Sequence, residues 1–244
     1  MDSGILQCMA SGSGLGGTMS VTTSRLTVGD SVYQELLNAI YDGRLEPGQR
    51  LNDIALAEEI GISRTPVREA IQKLRAIGVV ESEPNRFTRV AIVSPEQVRQ
   101  HMIVWVALMH ALLDEVVPTI PKSAVRQMES QHRQFLRHLD ELIRIGPSDE
   151  MLDKRVEKSR ELATANFDFF TSLAALSTNP PLLTSLETAQ HVIRLGSLSL
   201  PDWVDVAELS RAQADLLEAI KAGDLKACHG VLDRLLQLVV PGAE

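Results

Sequence analysis

The amino-acid sequence predicts a mainly α-helical protein, in which three short helices and a hairpin precede an all-α bundle of about six helices. Apolar residues recur at helical spacing through most of the 244 residues. Two short runs, at 79–82 and 88–92, have the composition of strands. From residue 93 onward, breaks that contain proline or glycine divide a helical pattern without strand-like alternation. Each predicted element follows from local signals of this kind.

The first two helices are predicted from periodicity and from their ends. The first has apolar residues on one face, namely Val32, Leu36, Leu37 and Ile40. It ends near Asp42-Gly43, and a loop punctuated by Pro47-Gly48 follows. The second helix begins after Asn52, an N-cap residue type, and ends at Gly61. A third helix follows after a tight turn, so the pair is predicted to form a helix-turn-helix.

The third helix carries the most chemical information, in the segment from Ile62 to Ile71. Pro66 suits a first helical turn because its φ is fixed and it needs no N–H, and Thr65 is expected to cap the helix. Arg64 and Arg68 lie four residues apart near the helix N-terminus, where free N–H groups and the helix dipole attract phosphate. Such a helix is suited to the DNA major groove. For this segment alone, solvated charges on an ordinary surface helix stay an alternative.

A hairpin is predicted after Gly78, with Arg86 at its tip, and completes the order helix, helix, helix and wing. Local charge agrees with DNA binding. Residues 63–90 hold six basic and three acidic side chains, a net +3, although the whole chain carries −8. Residues 93–244 hold 15 basic and 21 acidic side chains, a net −6. The second half is therefore not expected to face DNA.

These residues resemble the winged-helix domain of the GntR family of bacterial transcription regulators. The resemblance covers about 27–92 and rests on separated motifs in the right order, at 43–51, 56–57, 61–70, 74 and 78–80. It implies that bases and phosphates are contacted by Ser63, Arg64, Thr65 and Arg68, with Arg86 entering the minor groove. One departure is the wing tip, Asn85-Arg86-Phe87, which has no glycine, whereas many members of the family have a glycine there.

The second half is predicted to begin at Ser94-Pro95-Glu96-Gln97, a capping box with proline in the first turn. Five breaks then delimit about six helices, at 118–121, 146–148, 179–181, 199–201 and 223–224. Residues 166–170, 179–183 and 216–224 resemble the ligand-sensing FCD domain of the FadR-like branch of GntR regulators. The resemblance implies a domain that dimerises and binds an effector.

Many members of that branch hold a metal ion through one carboxylate and three histidines. The resemblance places Asn166 at the carboxylate and places Phe170, Gln213 and Leu235 at the histidines. Phenylalanine and leucine cannot coordinate a metal, so neither a metal nor another cofactor is expected. Six histidines are present, but none forms a metal-type pair such as His-x-x-x-His.

An apolar effector pocket is predicted instead, because Trp105 and Met109 stand where an arginine and a glutamate are common. The candidate pocket residues are Trp105, Met109, Asn166, Phe170, Arg194 and Gln213. An acyl or aromatic effector is expected, and a packed bundle without a ligand is the alternative. Arg194, which follows His191 by three residues, could hold an effector carboxylate, or it could be a solvated or interdomain charge.

Three regions are therefore predicted: a disordered tail at 1–26, a DNA-binding domain at 27–92 and a helical effector-binding and dimerisation domain at 93–244. Two cysteines, Cys8 and Cys228, give no disulfide framework. No apolar run is expected to cross a membrane, and no signal peptide is recognised, so a cytoplasmic location is expected.

A homodimeric repressor that binds a double-stranded DNA operator is the predicted function. Enzyme motifs, such as a phosphate-binding glycine loop, a nucleophile elbow or a zinc-protease pair, are missing from the sequence. The alternative is a non-catalytic interaction module whose winged helix contacts protein and whose bundle binds no ligand.

Overall fold

A computed structural model of the chain describes residues 27–84, 86–146, 152–199 and 205–239. Its elements are α1 (Val28–Tyr41), α2 (Asp53–Ile60), α3 (Arg64–Ala76), β1 (Val80–Glu83), β2 (Phe87–Val90), α4 (Pro95–Val116), a 3₁₀ turn (Val117–Thr119), α5 (Lys122–Ile145), α6 (Leu152–Ala174), α7 (Pro180–Ser199), α8 (Val206–Ala222) and α9 (Leu225–Val239). This order confirms the mainly α fold class, with six helices after the wing in the described ranges. The predicted tail, 1–26, lies outside the described residues.

The predicted ends of α2 are confirmed. Asn52 Oδ1 accepts hydrogen bonds from the N–H groups of Ile54 and Ala55 at 2.9 and 3.3 Å. Gly61 ends the helix in the left-handed region, with φ of 75°. Both signals are local, since a side-chain oxygen satisfies the first free N–H groups and glycine adopts positive φ without strain.

The predicted cap of α3 is wrong. The helix begins at Arg64, so Ser63 is the N-cap residue and Thr65 lies inside the first turn. Pro66 is still within that turn, as expected. The side chain of Ser63 makes no capping hydrogen bond. An N-cap residue has extended backbone. Ser63, the last residue of the turn between α2 and α3, has φ −71° and ψ 159° and therefore occupies this position.

The wing is an antiparallel pair in which Val80 faces Val90 and Glu83 faces Phe87. Its strands are displaced by one residue or two from the predicted bounds. The segment predicted as a loop after Pro47 also joins this sheet. Gly48 N–H donates to Val90 O at 2.9 Å, and Leu51 N–H donates to Thr88 O at 2.8 Å. The backbone before α2 therefore covers one edge of the wing.

Helix α4 organises the bundle, because it packs against α6, α7 and α9. Its N-terminus is the predicted capping box, in which Ser94 and Gln97 bond each other's backbone N–H groups. Helix α7 comes very close to α4 at Gly196, where an added Cβ would lie 2.2 Å from Val98 Cγ2. Glycine is required at that position because no side chain fits between the two helices.

The expectation about apolar runs needs a correction. Residues 95–119 form one helical stretch that is long and apolar enough to cross a membrane by length and composition, with a mean hydropathy of 1.5 over 18 residues. The central helix of a packed bundle has the same composition, because it is covered on several sides. Eight residues of α4 are buried against the rest of the protein: Val98, Met102, Trp105, Val106, Met109, Leu112, Leu113 and Val116.

A continuous apolar core joins the winged helix to the bundle. It includes Leu36 and Ile40 of α1, Leu74 of α3, and Leu186 and Ile193 of α7. Helix α1 packs against both α3 and α7. The winged helix and the bundle are therefore in direct contact through α1.

Candidate nucleic-acid interface and effector cavity

The two arginines of α3 converge on one carboxylate of α2. Arg64 Nη2 lies 3.0 Å from Asp53 Oδ2, and Arg68 Nε lies 2.7 Å from the same oxygen. The hydrogen bond from Arg64, supported by that from Arg68, outweighs the effect of partial burial and holds the pKa of Asp53 below its usual value. Asp53 therefore stays ionised and orients both guanidinium groups while leaving most of their donors free.

Sequence reasoning missed Asp53. An aspartate in the first turn of a helix is expected from the helix dipole alone, which gives no reason to assign it a functional role. Its distance from Arg64 and Arg68 along the chain is 11 and 15 residues. Only the packing of α2 on α3 brings the three side chains together.

The candidate DNA-contacting residues of α3 share an exposed position. Ser63, Arg64, Thr65 and Arg68 are all exposed at the N-terminal end of the helix. Because Ser63 does not cap this helix through its side chain, the first N–H groups of α3 are open to an outside acceptor. A phosphate oxygen is the acceptor that the helix dipole favours.

Arg86 lies at the wing and is the most exposed of the candidate arginines, with 69% of its side chain accessible. Its Nη1 bonds Glu83 at 2.6 Å. Arg89, on the second strand, pairs with Glu81 at 2.6 Å and lies over the Phe87 ring. The positive charge of the wing is therefore partly neutralised within the hairpin, and the neighbouring Asn85 lies outside the described residues.

A cavity of about 160 Å³ lies among the helices of the bundle. Three of the predicted pocket residues line it: Trp105, Asn166 and Phe170. Trp105 and Phe170 meet edge to face, with ring centroids 5.0 Å apart. None of the described residues that line the cavity is charged. Its surface therefore suits an apolar guest.

The other three predicted pocket residues do not line the cavity. Met109 is packed in the core at 1% exposure, and Gln213 is fully buried behind Asn166. Arg194 lies on the side of α7 that faces α1, with its guanidinium carbon 3.8 Å from the centroid of the Tyr41 ring. The sequence gives no sign that Arg194 contacts Tyr41, because Tyr41 belongs to the other half of the chain.

The residues at the family's metal positions do not fit a metal. Gln213 Nε2 donates to Asn166 Oδ1 at 2.8 Å, while Gln213 Oε1 accepts from His132 Nδ1 at 3.0 Å. One hydrogen bond therefore joins the two amides, and Phe170 and Leu235 offer no atoms that could coordinate a metal. Neutral amide oxygens are poor ligands for the divalent transition metals that imidazole and carboxylate bind.

A separate polar cluster lies between α5 and α6. His138, Glu141 and Glu161 have ligand-type atoms within 4.8 Å of one another. The ammonium of Lys158 bonds Glu161 at 2.7 Å and Glu141 at 3.1 Å, and these bonds raise the pKa of Lys158. Lys158 thus bridges the two carboxylates and balances one of their two negative charges, while His138 pairs with Glu161 at 3.1 Å, so the cluster is accounted for as an ion-pair network.

Comparison with known proteins identifies both halves. Residues 29–90 match the family model described as bacterial regulatory proteins, gntR family, and residues 106–238 match the FCD domain. A probable D-xylose utilization operon transcriptional repressor of Paenarthrobacter nicotinovorans is 26% identical over 230 residues, which are 91% of this chain and 93% of that protein. The match to YdhC of Bacillus subtilis, an uncharacterised regulator, is 24% identical and covers 53% of this chain and 56% of YdhC.

Solved structures show the same fold. McbR of Escherichia coli superimposes with a TM-score of 0.68 at 21% identity, covering 88% of this chain and 96% of McbR. A GntR regulator from Rhodococcus sp. RHA1 gives 0.67 at 22% identity, covering 88% and 99%. The FCD match alone spans 133 of the 244 residues. The chain therefore belongs to the GntR family of bacterial transcription regulators, which bind DNA and are not enzymes, and it carries an FCD domain.

Proposed function

We propose that the protein is a homodimeric, cytoplasmic transcription repressor that binds a two-fold symmetric double-stranded DNA operator and responds to a neutral apolar effector. The arginine pair Arg64 and Arg68, exposed at the open N-terminus of α3 and oriented by Asp53, is the observation that carries the DNA-binding part. Repression is favoured because the relative from Paenarthrobacter nicotinovorans is named a transcriptional repressor. The D-xylose in the name of that relative is not proposed as an effector of this protein.

The DNA contacts divide into two kinds. Arg64 and Arg68 have the planar donor groups that read guanine edges in the major groove, while Ser63 and Thr65 lie where a phosphate meets the helix N-terminus. Arg86 would reach the minor groove once a phosphate or base replaces its Glu83 partner. Exposed ion pairs of this kind contribute little to stability, so replacing them by DNA contacts costs little free energy.

Replacing the recognition arginines tests this assignment. Arg64→Ala and Arg68→Ala should each weaken binding to an operator selected from a random duplex library by about 1–3 kcal/mol, because each removes a base or phosphate contact. Fluorescence anisotropy measures the affinity. Arg211→Ala, which removes an exposed arginine of α8, is the control and should change nothing. Unchanged affinity in both α3 variants would remove α3 from the interface.

The dimer is proposed to form through α4. This helix buries one face in the bundle and also exposes apolar residues on the opposite face, where Ile103 and Val104 are 46% and 50% accessible. Ala107 and Ala111 continue the same stripe toward the C-terminus of the helix. A helix that is apolar on both faces is stabilised when both are covered, and a second copy would cover this one symmetrically.

The effector is proposed to be neutral because no charged side chain among the described residues lines the cavity. An apolar cavity of comparable volume, about 150 Å³, accommodates benzene, so a small aromatic compound or a short acyl chain is the expected occupant. Asn166 and Ser197 supply polar atoms at the cavity wall for one hydrogen bond to such a ligand.

A thermal-shift screen tests the effector. Neutral acyl and aromatic compounds should raise the melting temperature, since a ligand at 100 times its Kd stabilises a fold by about 2.7 kcal/mol. The shift should be the same with and without divalent metal. Carboxylated compounds serve as the comparison set. Hits that require a metal, or hits confined to carboxylates, would contradict the neutral apolar pocket.

A further inference from the structure

Tyr41 of α1 is held between two residues of α7. Its hydroxyl hydrogen bonds His191 Nδ1, and the two rings lie nearly parallel, 17° apart. On the same ring, the Arg194 guanidinium carbon lies 3.8 Å from the centroid, which is cation–π geometry. We call Tyr41, His191 and Arg194 the interdomain joint, because α1 belongs to the DNA-reading head and α7 to the bundle.

The joint is built as a buried site and not as an incidental surface contact. Tyr41 is 6% exposed and His191 is 9% exposed. Arg194 Nη2 donates to Thr164 Oγ1 of α6 at 2.8 Å, so its orientation is fixed from a third helix. Burial lowers the pKa of Arg194, while the attraction of Tyr41 and Asp168 opposes this effect. Keeping a cation there requires these ring and hydroxyl contacts to stay in place.

The joint also contacts the wall of the cavity. The Arg194 guanidinium lies 5.6 Å from the centroid of the Phe167 ring, and Phe167 lines the cavity. The neighbouring residues of α7, Ile193 and Ser197, line it as well. A ligand that displaces the Phe167 ring or shifts this part of α7 must therefore change the surroundings of Arg194.

On the other side, the joint leads to the recognition helix. Tyr41 is the last residue of α1, and α1 packs along α3 through the shared core. A second contact supports the same end of α1: Arg160 Nη1 of α6 donates to Asp42 O at 3.1 Å, over Gly43. A change in the position of Tyr41 therefore moves α1 and α3 as one packed unit, because cores do not deform continuously.

We infer that the interdomain joint transmits occupancy of the bundle cavity to the DNA-reading head, with Arg194 as the residue that touches both the cavity wall and α1. In this role Tyr41, His191 and Arg194 are positioning residues for DNA binding, and they contact neither effector nor DNA. The inference rests on the proposed function, in that the cavity must accept a ligand. It adds which residues carry the coupling and how the coupling can be removed.

The coupling is measured as the factor by which a ligand changes operator affinity. 2-Naphthol, a neutral fluorescent aromatic compound, is the probe, and operator affinity is measured with and without it in the full-length protein. A variant that fills the cavity without ligand, Ala163→Leu, provides an independent arm. Both arms are repeated in Arg194→Met and Tyr41→Leu, with Arg194→Lys as the conservative variant and Arg211→Met as the control.

In the wild-type background, 2-naphthol should change operator affinity about fivefold or more, as allosteric coupling commonly does. In Arg194→Met and Tyr41→Leu, this factor should fall to about twofold or less, which is below the range of about fivefold or more that is typical of allosteric coupling. Affinity for 2-naphthol without DNA should persist, which a merely unfolded variant would lose. Arg194→Lys should restore part of the factor, because it keeps the cation over the ring, and Arg211→Met should keep all of it.

A full coupling factor in both Arg194→Met and Tyr41→Leu would overturn the inference, as would 2-naphthol binding to the wild type without any effect on operator affinity. If 2-naphthol does not bind, the proposed effector cavity is contradicted and the Ala163→Leu arm decides about the joint. A change in operator affinity that requires Arg194 then supports the inference. No change, or a change that persists in Arg194→Met, overturns it.

Discussion

At the N-terminus of α3, Arg64 and Arg68 both bond one oxygen of Asp53. A carboxylate so close to the proposed DNA-contacting surface would repel phosphate, which is unfavourable for affinity alone. Its advantage is geometric: long arginine side chains lose less conformational entropy on binding when their orientation is already fixed. We therefore propose that Asp53 weakens general attraction to DNA and favours discrimination among sequences.

Asp53→Asn should separate these two effects. Removing the negative charge should strengthen binding to random-sequence duplex. Less well-oriented arginines should also lower the ratio of operator affinity to random-sequence affinity by about fivefold. This equals about 1 kcal/mol, compared with the 1–3 kcal/mol that a base contact provides. Anisotropy titrations with both duplexes measure the ratio. Glu59→Gln removes an exposed carboxylate from the same helix and should leave the ratio unchanged. An equal ratio in Asp53→Asn and the wild type would contradict the positioning role.

At the scale of the elements, helix ends follow local signals, whereas helix contacts depend on what lies opposite. Gly196 and Gly230 both lie inside helices, and the sequence gives no reason to treat them differently. In the structure Gly196 faces Val98, which is fully buried and β-branched, so it cannot turn aside. Among the described residues, a Cβ at Gly230 would meet no atom within 4 Å.

The two glycines should therefore respond oppositely to alanine. Gly196→Ala should lower the free energy of unfolding by about 1–3 kcal/mol, because it overpacks the contact between α4 and α7. Gly230→Ala should raise it by up to about 1 kcal/mol, since alanine has the higher helix propensity. Urea denaturation measures both free energies of unfolding, and the slope of free energy against urea concentration should not change. Equal effects in the two variants would mean that α4 and α7 are not closely packed at Val98.

At the scale of the whole molecule, the core that joins the winged helix to the bundle leaves one apolar face of α4 that the described residues do not cover. A bundle helix needs only one apolar stripe, so a second stripe predicts a second partner. Exposed residues Ile103 and Val104 lie on that stripe, whereas Ile143, with 68% accessibility, lies on a different helix, α5. Scattered exposed apolar residues are normal, and contiguous ones mark interfaces.

Ile103→Glu should convert a dimer into a monomer, because a dimer related by two-fold symmetry would bury this charge twice without a partner. Sedimentation velocity measures the oligomeric state. Ile143→Glu places the same charge on an exposed isoleucine elsewhere and should remain dimeric. A wild-type monomer, or an Ile103→Glu dimer as stable as the wild type, would show that α4 is not the interface.

The sequence by itself determined the mainly α fold, the order of the winged helix and the six bundle helices, and the family. These follow from signals within a few residues of one another: the cap at Asn52, the turn at Gly61, the capping box at Ser94 and the spacing of Arg64 and Arg68. Such signals act before any tertiary contact forms, so they can be read from the sequence directly.

Tertiary structure alone decided where side chains from distant segments meet. It placed Asp53 beside Arg64 and Arg68, brought residues 48–51 to the edge of the wing, and directed Arg194 to Tyr41, 153 positions earlier in the chain, instead of to the cavity. Gln213, expected at a pocket, instead links Asn166 to His132. These contacts depend on how helices are set against one another, and helix packing permits several arrangements for one apolar pattern.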